Sequence, residues 1–145
     1  MKVRDMLDAK GHKYESIGPK NTIRDAMDRI MEKRIGSLLV MNENRLVGII
    51  SERDIFRLYH RHGEKAAAME VGDTMTRDII IGIPDDDVEA VKALMTNNRF
   101  RHLPIMEGNE VVGIISIGDV VKSMATNLQI ENRYLKDYIT GKYPG

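Results

Sequence analysis

The chain has 145 residues, 42% of them hydrophobic and 30% charged, a balance that suits a compact folded protein able to bury its own core. With no Cys it forms no disulfide, and thiolate catalysis and cysteine-ligated zinc or iron–sulfur chemistry are excluded. Lys plus Arg and Asp plus Glu number 22 each, so no net field draws nucleic acid or an anionic membrane, and no apolar run reaches the roughly 18 residues of a membrane helix.

Residues 1–13 include Asp5 and Asp8 and hold no apolar stretch, so they read as neither a secretory nor a mitochondrial presequence, and a cytoplasmic location is expected. A strand is predicted around residues 14–17. Ile23, Ala26, Met27, Ile30 and Met31 then recur at helical spacing, with Thr22 placed to cap the first turn. Two apolar runs follow, 38–41 and 46–50, on either side of the turn Asn42-Glu43-Asn44, which reads as a hairpin. A second helix starts at Ser51. Moved by 65 residues the same order returns: a strand around 79–83, a helix carrying Val88, Val91, Leu94 and Met95, apolar runs 103–106 and 111–115, and a helix from Ser116. Between residues 34–54 and 99–119, 10 of 21 positions are identical, and residues 3–7 echo residues 71–75 at a slightly different offset. Val120, Val121, Met124, Leu128, Leu135, Tyr138 and Ile139 continue at near-helical spacing. The expected architecture is α+β: two βαββα units, residues 1–69 and 70–126, packed with pseudo-twofold symmetry, and a C-terminal helical extension, 127–145.

Most candidate chemistry has a plain structural counterpart. Asp85, Asp86 and Asp87 sit where a helix start favours carboxylates, and nothing at useful spacing completes a metal ligand set. His60 and His62 lack a third ligand and read as a solvated connector. Arg53, Arg57, Arg61 and Lys65, spaced by four, form a basic face, but Gly63 interrupts it and interleaved aromatics are missing, so a nucleic-acid interface is the weaker reading beside a solvated or dimer-contacting face. No Walker, GxGxxG or GxSxG pattern occurs.

The repeated segment Gly48-Ile-Ile-Ser51-Glu-Arg-Asp54 and Gly113-Ile-Ile-Ser116-Ile-Gly-Asp119 is the most specific feature. Ser at the N-cap and Asp three residues later form a capping box. The same groups admit another use: the Asp can accept hydrogen bonds from a vicinal diol, the helix N-terminus can face an anion, and the Gly lets a backbone or flat ligand approach closely.

This doubled pattern resembles the tandem cystathionine β-synthase (CBS) motif family, whose two repeats pack as a Bateman module, over about residues 3–124. Segments 99–105, 115–121 and 138–141 resemble stand-alone CBS pairs with no attached enzyme or channel. The resemblance implies a regulatory binding module, not an enzyme, that takes AMP or another adenosine nucleotide, with NAD(H) as a second ligand, senses energy or redox state and signals to a partner protein, and a homodimer. It implies that Asp54 and Asp119 hold ribose hydroxyls with Ser51 and Ser116 beside them, that Arg101 and His102 contact phosphate, and that Arg53 lies within reach. It further implies that Ile17, Ser37, Ile80, Ile81, Pro104 and Ile115 line the clefts. The first copy departs by carrying Gly36 and Ser37 where the second has Arg101 and His102. A purely structural dimerisation module with empty clefts is the other reading.

Overall fold

The computed structural model describes residues 1–125, so the predicted extension over 127–145 lies outside the described residues. In chain order the elements are α1 (Val3–Lys10), β1 (Ser16–Ile17), α2 (Ile23–Lys33), β2 (Ser37–Asn42), β3 (Arg45–Ser51) and α3 (Glu52–His62), followed by a 3-10 segment (Gly63–Ala68). Then come α4 (Val71–Thr74), α5 (Val88–Asn98), β4 (His102–Glu107) and β5 (Glu110–Ser116). A last helix, α6, occupies residues 117–125.

Local chemistry accounts for most of these boundaries. The Thr22 hydroxyl accepts from the Asp25 N–H at 3.2 Å while the Asp25 carboxylate accepts from the Thr22 N–H at 3.0 Å, so α2 begins on a complete capping box. At α5 the three carboxylates divide their work: Asp87 caps the helix, Asp86 accepts from the Ile83 N–H, and Asp85 pairs with Arg4. Both helices stop at an arginine in the left-handed conformation, Arg34 at φ 56° and Arg99 at φ 57°. The two hairpins turn differently. Glu43 and Asn44 both have positive φ, as a type I′ turn requires, whereas in the second hairpin only Gly108 does, the type II′ pattern.

β1 pairs in parallel with β2, β2 pairs antiparallel with β3, and β4 pairs antiparallel with β5. Each hairpin carries a register shift, between Val40 and Met41 and between Ile105 and Met106, so even the irregularity repeats at the 65-residue offset. The predicted strand over 79–83 is reduced to one bridge, Gly82 with Ile105: only the counterpart of the buried Ile17 still meets the sheet, and it does so as a glycine whose backbone lies so close that a β carbon would stand 2.9 Å from Leu103 Cδ2 and Ile105 Cδ1. Met31 also departs from the predicted apolar stripe of α2: it is 76% exposed.

The helices α1 and α4, for which periodicity gave no signal, decide how the repeats join. Val3, Met6 and Leu7 of α1 are buried in one core with Val88, Val91, Met95, Leu103, Ile105, Ile115 and Val120, all from the second copy. Val71 and Met75, at and just after α4, are buried with Ile17, Ile23, Ala26, Ile30, Leu38, Val40, Ile50 and Ile55 of the first copy. Equivalent backbone bonds hold each arm in place. Val3 N–H donates to the Asp86 carbonyl and Val88 N–H to that of Met1, while Val71 N–H donates to Asn21 and Ile23 N–H to Met69. Burying Val3 or Leu7 in this way stabilises the fold by about 1.5–3 kcal/mol per side chain.

Candidate functional site

The strand-to-helix junctions β3–α3 and β5–α6 open into a shared cleft of about 890 Å³. Ser51 caps α3: its hydroxyl accepts from the Asp54 N–H at 3.2 Å and donates to the Asp54 carboxylate at 3.0 Å, and that carboxylate also accepts from the Ser51 N–H at 2.9 Å. Ser116 and Asp119 repeat the capping box at 3.1 and 2.8 Å. The capping box is therefore formed in both copies, and the first residues of α3 and α6, the positive ends of their helices, both line the cleft. Among the described residues Asp54 has no ion-pair partner, whereas Asp119 lies 2.6 Å from Lys10 Nζ.

The two motif glycines serve packing. A β carbon on Gly113 would lie 2.7 Å from Leu7 Cδ2, and one on Gly48 would lie 2.7 Å from Met75 Cγ and 3.0 Å from the Thr76 carbonyl oxygen. The close approach expected at these glycines is thus made by the exchanged arms of the chain itself, through two counterpart residues, Leu7 and Met75.

Of the predicted site residues, Ser51, Arg53, Asp54, Arg101, His102 and Ser116 line the cleft together. Ile17, Ser37, Pro104 and Ile115 are buried in the strands and absent from the cleft wall, and the side chains of Ile17 and Ile115 belong to the two cores. Ile80 and Ile81 are exposed but lie outside the cleft wall, where the shortened second-copy strand leaves them. Asp119 is outside the lining and bound to Lys10. Sequence reasoning missed Phe56, Arg57, Arg99 and Phe100 as lining residues. The signal for two of them was available, because Phe56 and Arg57 stand three and four positions beyond Arg53 and share its helix face.

Arg53, Arg57, Arg99 and Arg101 make the wall rich in guanidinium groups, with Glu52 and Asp54 as the acidic members. His102 is held below the ordinary value of 6.5, first by burial and further by Arg101 and Lys10, against the opposing carboxylates of Glu52 and Asp119. Its neutral imidazole is thereby favoured over the charged form. For Asp119 burial is the largest influence and opposes ionisation, yet the hydrogen bonds from Lys10 and Ser116 and the Lys10 charge outweigh it, and the carboxyl lies below 3.8. No group of three or more His, Asp or Glu among the described residues is arranged to hold a metal ion.

The family model for the CBS domain matches residues 3–61 and 71–126. The chain belongs to the CBS domain family. This CBS pair is 31% identical over 150 residues to the CBS domain-containing protein CBSX3, mitochondrial, of Arabidopsis thaliana, an alignment covering 97% of this chain and 73% of that protein. It is similar in structure to the CBS-domain protein ATU1752 from Agrobacterium tumefaciens, with a TM-score of 0.84, 32% identity, and coverage of 86% and 99% of the two chains. The CBS domain pair of protein MJ0100, solved in complex with 5′-methylthioadenosine and S-adenosyl-L-methionine, shares the fold at a TM-score of 0.76 with 24% identity over 88% of this chain and 98% of that one. No helix among the described residues is long and apolar enough to cross a membrane.

Proposed function

We propose that this CBS pair is a regulatory module, not an enzyme, that binds an adenosine nucleotide in the cleft between its repeats and reports occupancy to a partner protein. The observation that carries this reading is the convergence of Ser51, Asp54, Arg101 and Ser116, from two repeats, on one cleft. A carboxylate at a helix start accepts two hydrogen bonds from a ribose diol, and arginines with helix N-termini hold phosphate. Ile49, Phe56, Phe100 and Ile117 supply apolar surface for a base. The adenosine ligands carried by the MJ0100 pair support the nucleoside half of the reading. The four arginines favour a phosphate over a sulfonium cation, so AMP is the expected ligand and NAD(H), which contains the same half, the second.

A ligand touching both repeats favours one relative arrangement of them, and it shifts that equilibrium only by its differential affinity for the two arrangements. Sensing of energy or redox state, a homodimer joined through helices and a cytoplasmic location complete the reading. Thermal denaturation with AMP, ADP, ATP, NADH and S-adenosylmethionine tests it. A ligand at a hundredfold excess over its Kd stabilises by about 2.7 kcal/mol, and no shift with any of the five removes the reading. Light scattering that gives a monomer removes the dimer.

A further inference from the structure

The two capping carboxylates are equivalent in sequence but not in surroundings. Residues 3–7 correspond to 71–75, an alignment confirmed by the equivalent contacts of Leu7 on Gly113 and Met75 on Gly48, so the counterpart of Lys10 is Asp78. The arms diverge after that contact. Past α4 the chain becomes extended, and Thr76 pairs with Ile49 by two backbone bonds, its N–H donating to the Ile49 carbonyl at 2.9 Å. The helix α1 instead continues for another turn, and its Lys10 Nζ donates to the carbonyl of Ile114, the counterpart of Ile49, at 2.8 Å. The same ammonium donates to the Asp119 carboxylate at 2.6 Å. With side chains only 30% and 25% exposed, this is not a loose surface pair. Lys10 thus replaces a missing backbone donor and neutralises Asp119 in one position, and the second copy has no equivalent of the open Asp54.

We propose that this chain holds one adenosine nucleotide, at Asp54, because Lys10 closes the equivalent carboxylate of Asp119 to a second. The inference rests on the nucleotide reading given above. A ribose at Asp119 must displace the ammonium from a half-buried carboxylate and leave the Ile114 carbonyl without its donor, a loss that the ribose at Asp54 does not meet.

Calorimetric titration of the full chain with AMP tests this. The unmodified protein takes up one equivalent, and Asp54→Asn weakens it by about tenfold or more. Lys10→Met, which keeps the apolar stem and removes the charge, gains a second equivalent, and adding Asp119→Asn to Lys10→Met removes that gain. Thermal melting of each variant without ligand shows that it is folded. Two equivalents in the unmodified protein, or one equivalent that Lys10→Met weakens, overturns the inference while leaving nucleotide binding intact, the latter by making Lys10 a ligand contact. One equivalent in both the unmodified protein and Lys10→Met also overturns it. No AMP binding by either protein removes AMP as the ligand and overturns this inference with it, whereas the nucleotide reading itself falls only when none of the five ligands shifts the melting temperature.

Discussion

The imidazole of His102 lies against Gly36, so that a β carbon on that glycine would stand 3.2 Å from His102 Nε2. Gly36 is the first-copy counterpart of Arg101, and Ser37 that of His102. The departure from symmetry at these positions therefore has a steric use: a small residue in one repeat makes room for a ring from the other, and both line the same cleft. Gly36→Val is expected to push the ring toward solvent and to cost about 1–3 kcal/mol through overpacking. His102 then titrates nearer 6.5. Proton NMR of the imidazole reads the second effect independently of stability, and an unmoved titration would show that the ring does not depend on this gap.

The neutral His102 also shapes the pH dependence of stability. Its folded-state pKa is lowered from 6.5, chiefly by burial, so the unfolded chain binds more protons as pH falls through that value. Stability from this residue is complete above about pH 6.5 and declines below it, toward the folded-state pKa. Asp119, also lowered, contributes in full above 3.8 and loses its contribution as pH falls through its folded-state value. Urea denaturation of the unmodified protein and of His102→Gln at a series of pH values is expected to show the first decline only in the unmodified protein. Parallel curves would assign it to other groups.

Arg101 lines the cleft and forms no ion pair with a described residue. A charge-assisted hydrogen bond to phosphate is worth about 1.5–3 kcal/mol. Arg101→Ala is accordingly expected to weaken AMP by about tenfold to a hundredfold while hardly changing adenosine, which lacks the phosphate. Equal losses for the two ligands would make Arg101 a support of the cleft and not a reader of phosphate.

The exchange of α1 and α4 predicts where damage spreads. Leu7 is buried in the second-copy core and packs on Gly113, so Leu7→Ala is expected to cost about 2–5 kcal/mol. Hydrogen exchange should quicken in α5, β4 and β5 more than in β2 and β3. Met75→Ala should show the reverse pattern. Faster exchange in the first copy for Leu7→Ala would contradict the exchanged packing.

Much of this organisation is local and was legible in the residues themselves. The span of α2 against α5, of β2 against β4 and of β3 against β5 follows the 65-residue repeat, and the pairing of Ser51 with Asp54 follows from a helix start that brings positions three apart together. The echo of residues 3–7 in 71–75 was legible too, but its meaning was not. Only the tertiary structure decided that each arm covers the other copy's sheet, because apolar side chains bury wherever a complementary face remains open, and that choice leaves no periodicity in the chain. The same holds for Lys10 and Asp119, 109 residues apart, and for Phe56, 75% exposed, whose helical spacing gave its face without naming the cleft that face would line. Contacts within one turn are set by backbone geometry, whereas contacts across the fold depend on which surfaces meet.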